Sequence, residues 1–317
     1  MGMPGTSHIE APSALSPGIS AYHEFAPNMI LTPSPHFFTH RTTLSVALAL
    51  GCLGLAGCGT IDGGAVTSGG PRIAEVEAPD GSFSDNIASL TDVVKRNPDN
   101  AGAYNTRGAA YAKAGRYQEA IADFGQAIRI NPNDSSAFTN RALAERQINQ
   151  NDAALADFGR AIAANPNHAP AYLGRANLLR TRGSLQDAMS DLDQAIRLNP
   201  EGAQAFHARG LIYQRNGDHA RAVTDFDNAI DRDPFAAAPY LARGQSLTAL
   251  GKFDLAIEDF NAALNVDNKN GDAWAGLGLV YEKQGNKAKA SESYGRALIA
   301  DPNNRAAREG QGRVGRA

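Results

Sequence analysis

Cysteine is almost missing from this 317-residue chain. The two present, Cys52 and Cys58, both lie before residue 60, so no disulfide framework or cysteine metal site can form in the remainder. Histidine is nearly as scarce there: only His168, His207 and His219 follow Cys58, far apart and without metal-ligand spacing. A marked excess of one sign of charge is missing too. Thirty basic and 33 acidic residues leave a formal net charge of −3, and nothing in that balance calls for nucleic acid. The chain has a single long apolar run, Leu44–Gly57, which is short of the ~20 residues a membrane-spanning helix needs. No Ser–His–Asp order or other nucleophile motif is apparent. Gly310-x-Gly312-x-x-Gly315 has the letters of a dinucleotide fingerprint. It follows no strand, however, and only Arg316 and Ala317 come after it, so the βαβ setting that gives those glycines their work is absent. No cofactor, metal or catalytic residue is expected, and the chain reads as a non-enzyme.

What the chain does have is a period of 34 residues. Asn97-Pro98, Asn131-Pro132, Asn165-Pro166, Asn199-Pro200, Asp233-Pro234 and Asp301-Pro302 recur at that interval; the one missing station reads Asp267-Asn268. With this proline as position 32, six repeats span 101–134, 135–168, 169–202, 203–236, 237–270 and 271–304. Position 4 is aromatic in all six (Tyr104, Phe138, Tyr172, Phe206, Tyr240, Trp274). Position 8 is Gly or Ala, and positions 20 and 27 are always Ala. Position 24 is large and apolar: Phe124, Phe158, Leu192, Phe226, Phe260 and Tyr294. Small residues at 8, 20 and 27 let two antiparallel helices approach closely, and the large ones fill the gaps between them. Position 15 is Gly in five repeats and Asn149 in the second, as a left-handed turn between helices requires.

This pattern resembles the tetratricopeptide repeat family over about 204 residues. The resemblance implies an all-α fold: a right-handed α-solenoid of helix-turn-helix repeats. It also implies a binding surface on the concave face, lined by first helices chiefly through positions 2, 5, 9, 12 and 13. Position 7 is Arg and position 23 Asp in the same five repeats, and both change together in the sixth, to Leu277 and Ser293. The two positions are symmetric about the turn at 15. A ladder of Arg–Asp pairs within repeats is therefore expected, with a structural role.

Solenoid ends need caps. Residues 84–97 match a second helix, with Ile87, Leu90, Val93 and Val94 in the packing positions, and 84–100 is expected to be a capping helix. The stretch 305–317 is expected to supply a C-terminal cap, short and polar, from Arg305 to about Gly310. Residues 1–57 read as a leader and signal peptide. The apolar core follows Arg41 and ends in Leu55-Ala56-Gly57-Cys58, which resembles a bacterial lipobox. That resemblance implies cleavage before Cys58 and acyl chains on it; an ordinary signal peptide or an uncleaved anchor is the alternative. The first 28 residues do not fit a signal n-region, so translation is expected to start at Met29; a genuine disordered leader is the alternative. Residues 58–83, rich in Gly, Ser and Thr, read as a flexible tether. Gly59, where inner-membrane lipoproteins of enteric bacteria carry Asp, leans toward an outer-membrane location facing the periplasm. In layout the chain is similar to envelope tetratricopeptide lipoproteins that deliver a protease to its substrates. A pilotin-like assembly factor for a secretin or pilus, or a soluble scaffold without an anchor, are the other readings.

The concave positions supply Leu143, Leu173, Leu211, Leu241 and Leu279, with Asn105, Asn177, His207 and Gln245, beside a basic edge of Lys113, Arg146, Arg180 and Arg215. A leucine track beside positive charge suits a protein or peptide partner, extended or helical, with acidic flanks. Packing of the leucines on a second copy of the chain, as a homodimer, or ordinary surface residues, are the competing readings. The family's carboxylate clamp for peptide C-termini needs Lys at position 5, which this chain lacks.

Overall fold

The computed structural model describes residues 83–315. Cys58, the leader and the tether lie outside the described residues. Within them are fourteen α-helices. The first helices of the six repeats are α2 (Ala101–Lys113), α4 (Ser135–Gln147), α6 (Ala169–Arg182), α8 (Ala203–Arg215), α10 (Ala237–Ala249) and α12 (Gly271–Lys283). The second helices are α3 (Tyr117–Ile130), α5 (Asn151–Ala164), α7 (Leu185–Leu198), α9 (His219–Arg232), α11 (Phe253–Val266) and α13 (Lys287–Ala300). They are flanked by α1 (Phe83–Arg96) and α14 (Arg305–Val314).

The turns follow from local chemistry. All six position-15 residues have positive φ, Asn149 at 60° and the five glycines at 73–84°, a conformation that costs other residues a steric clash. At the end of each repeat the Asn or Asp at position 31 takes over from the helix. In Asn131, Asn165, Asp233, Asp267 and Asp301 the side-chain oxygen accepts the backbone N–H two residues on. Asp267 makes this turn without the following proline, so the acidic or amide side chain directs the turn and proline only reinforces it. Asn100, Asp134, Asn270 and Asn304 then cap the helices that follow.

The core is a row of rings set against glycines and alanines. Phe124, Phe158, Phe226, Phe260 and Tyr294 are at most 1% exposed, each such burial stabilising by about 1.5–3 kcal/mol. A Cβ on Gly108, Gly210, Gly244 or Gly278 would lie 2.5–2.9 Å from the ring of its own repeat. Gly174, Gly276 and Gly310 press in the same way on the ring of the preceding repeat. The absent side chains are thus what allows the helices to close. α1 packs on α2 and buries Ile87 and Val94. α14 runs to Val314, further than the polar composition suggested, and it buries Ala307 and Gly310.

Consecutive helices pack on each other throughout. Each first helix also touches the first helix of the next repeat, from α2 through to α14, whereas among the described residues no second helix touches the next second helix. First helices therefore lie closer together than second helices, and their shared face is the inner one.

Candidate partner-binding face

The five Arg–Asp pairs form as the spacing requires. In each, Nε and Nη2 of the arginine donate to both carboxylate oxygens of the aspartate at 2.5–2.9 Å. Hydrogen bonding to the aspartate raises every one of these arginines above its ordinary range. The guanidinium lies 5.7–6.0 Å over the position-4 ring of its own helix, so the aromatic also supports the ladder. Arg209 and Arg243 extend a third donor to Asp193 and Asp227 of the preceding repeat, at 2.7 and 2.6 Å. In repeat six Leu277 and Ser293 are both buried, and Ser293 donates to the Lys289 carbonyl instead. These arginines are thus bound to carboxylates of the fold itself, as the structural role expected for the ladder requires.

The charge that remains is segregated. The first helices of repeats one to five carry ten basic side chains and a single acid, Glu145. Five of the ten are the ladder arginines. Arg182 pairs with Asp152 at 2.6 Å, and Lys113 is exposed at the end of α2. Arg146, Arg180 and Arg215 have no carboxylate within ion-pair distance among the described residues. Burial pulls Arg146 below the usual arginine range. Burial and then the neighbouring Arg215 do the same to Arg180, whose Nε is buried without a hydrogen-bond partner. His207 is pushed down to about 4 by burial and by Arg180, so it stays neutral.

The leucines behave differently from a surface track. Leu143 is only 3% exposed and packs with Phe138, Phe158 and Leu178; the next first helix covers it, which removes it from the face. Leu173, Leu211 and Leu241 are half-buried between repeats. Leu279 is exposed, as is Gln245. Asn105 accepts a 3.1 Å hydrogen bond from Asn140 and joins repeats one and two. Asn177 is partly buried on α6.

Where the track ends, a cavity of about 430 Å³ opens between α10, α12 and α14. Its floor is the rings of Phe260 and Tyr294, its wall Ala275, Gly276, Leu279 and Ala306, and its rim includes Asp272, Lys283, Glu309 and Arg313. Arg313 donates to Glu282 at 2.7 and 2.9 Å, and Tyr294 donates to the same carboxylate at 2.6 Å, which latches α14 to α12. The α14 contributors were missed in the sequence because the segment looked like a polar tail. The available signal was register: Asn304 is a helix cap and Gly310 stands at position 6, so α14 is the first helix of a seventh repeat. Among the described residues no group of three or more His, Cys, Asp or Glu is placed to hold a metal ion, and no helix is long and apolar enough to cross a membrane.

Paired helices in a 34-residue register, with a grooved inner face, define a helical-repeat solenoid of the kind that binds other proteins. Tetratricopeptide repeat models match residues 101–134 and, in a second form, 139–205, 207–273, 241–305 and 275–317. The chain belongs to the tetratricopeptide repeat family. Comparison with curated proteins gives no match. Among solved structures it is similar to the Cut9–Hcn1 hetero-tetramer of the APC/C (TM-score 0.65, 20% identity, 74% of this chain); it spans 46% of that chain's length. It is also similar to PilF of Pseudomonas aeruginosa (TM-score 0.62, 17% identity, 67% of this chain and 97% of that one). A third is PilW, a type IV pilus biogenesis factor (TM-score 0.60, 17% identity, 66% and 97%). At these identities the likeness is one of fold.

Proposed function

We propose that the chain is a non-catalytic scaffold that holds a protein or peptide partner on its first-helix face, and that acyl chains on Cys58 anchor it to a bacterial envelope membrane, the outer one, facing the periplasm. The observation that carries the binding role is the cleft of about 430 Å³ on the face where first helices converge: it is apolar at the floor, charged at the rim and open to a partner side chain. The anchor rests on the lipobox-like run ending in Cys58. Crosslinking and co-purification from native membranes tests the whole reading. A partner that is lost when the cleft is changed by Leu279→Glu with Gln245→Lys supports it; a partner captured equally well by that variant overturns the cleft as the site. For the anchor, Cys58→Ser is expected to move the protein to the soluble fraction and abolish lipid labelling. Unchanged membrane partition overturns it.

A second reading, an assembly factor for a pilus or secretin, is favoured by the similarity in fold to PilF and PilW, each matched over 97% of its length. Loss of pilus or secretin assembly on deletion of this chain would select it over a general adaptor.

A further inference from the structure

Position 12 has a defined job along this solenoid. Gln214 reaches the next repeat and donates to the Ala242 carbonyl and Ser246 Oγ at 2.9 and 3.0 Å. Thr248 donates back to the Gly244 carbonyl at 2.7 Å. Glu282 accepts from Arg313 and Tyr294. Ala112 has nothing to satisfy. Only Arg146 and Arg180 hold this place without a hydrogen-bonded partner among the described residues. The position matching Ser246 in the repeats that follow them is Leu178 and Ile212, at most 2% exposed, and neither offers an acceptor. Arg215, one place along on α8, adds a third cation close enough to Arg180 to depress it, and His207 beside them contributes no negative charge. A partly buried guanidinium without a counter-charge is costly. Among the described residues every ladder arginine has two bonds to a carboxylate, and Arg232, which has none, donates instead to the Pro200 and Asn228 carbonyls.

From this geometry we infer that Arg146, Arg180 and Arg215 form an anion-recognition centre on the inner face of repeats two to four, and that its ligand is the carboxylate side chains of an acidic partner peptide. The inference rests on the inner face being the binding surface and names the chemistry of what binds there. Charge complementarity argues for the occupant. The first-helix face of these repeats is depleted in acids, so a peptide bearing Asp or Glu supplies what the fold withholds. Planar guanidinium groups bind carboxylates in pairs of hydrogen bonds. First helices of adjacent repeats stand about 10 Å apart, a distance an extended peptide covers in about three residues, so acids spaced along one strand can meet successive arginines.

The test is to pan a peptide-display library against the full chain and against Arg146→Gln/Arg180→Gln. Circular dichroism serves to check that the helices are intact, and anionic phospholipid vesicles are run in parallel. Wild-type chain is expected to select peptides enriched in Asp and Glu. The double variant should bind those peptides about tenfold or more weakly, and Arg146→Glu/Arg180→Glu should turn the selection toward basic peptides. If peptides are captured without acidic preference, the inner face stands as a binding surface and the anion centre falls. If neither chain selects a peptide, both fall. Vesicle binding that depends on the two arginines, without acidic peptide selection, assigns the centre to a phosphate headgroup and overturns the proposal.

Discussion

Arginine has two different lives in this protein, and the difference lies in what stands opposite it. In the ladder, Arg175 meets Asp191 through two bonds of 2.7 Å. Removing one partner leaves a half-buried charge unpaired. Asp191→Ala is therefore expected to cost about 3 kcal/mol in chemical denaturation, whereas Arg175→Leu with Asp191→Ser, the pair repeat six already uses, should cost much less. Glu145 is the opposite case. Its Oε2 is buried without a partner, and Arg141 Nε is 3.9 Å from the other oxygen. Burial, and then the Asp157 carboxylate, push the Glu145 carboxyl up to about 7, against the smaller pull of Arg141 and Arg160. A raised carboxyl binds its proton more readily in the folded state. Its stabilising contribution is complete below about 4.5 and is lost as pH rises through about 7. Thermal melting of Glu145→Gln is expected to lack that slope, and the variant should be more stable than the parent at pH 8.

At the scale of the element, closeness between helices depends on missing side chains. A Cβ at Gly310 would fall 2.2 Å from the Tyr294 ring, while Gly312 faces open space. Gly310→Ala is expected to destabilise the C-terminal helix by about 1–3 kcal/mol through overpacking. Gly312→Ala should stabilise it by up to about 1 kcal/mol, since Ala outdoes Gly in a helix. Melting of the two single variants reads the difference. The fingerprint-like letters at 310–315 are thus one packing glycine, one solvent-facing glycine and, at Gly315, the helix end. The missing proline at residue 268 teaches the same lesson: Asp267 makes the turn through its own side chain.

For the array as a whole, charge is sorted by face. The inner face of repeats two to four keeps three arginines without carboxylates, and the last repeats offer a cleft whose wall is largely apolar. A partner that carries acids toward the N-terminal repeats and a bulky apolar residue toward α14 satisfies both. Because the arginines are partly exposed, binding of such a partner is expected to weaken as salt rises from about 0.05 to 0.3 M; titration at the two concentrations checks it. An affinity indifferent to salt would place the binding energy in the apolar cleft.

The sequence by itself determined the repeat, its register, the all-α class and the Arg–Asp ladder, because each is a relation at fixed spacing within one helical hairpin. Position 7 meets position 23 wherever the turn at 15 is kept, whatever surrounds them. Only the tertiary structure decided which inner-face residues remain available, because that depends on what the next repeat places over them. Leu143 enters the core as α6 covers it, and Asn105 is taken up by Asn140. The polar tail becomes a helix that walls the cleft, because Ala307 and Gly310 seat it against Tyr294. The arginine edge noticed in the sequence gained its meaning in the same way: position 12 is satisfied elsewhere along the solenoid, and at Arg146 and Arg180 it is left for a partner.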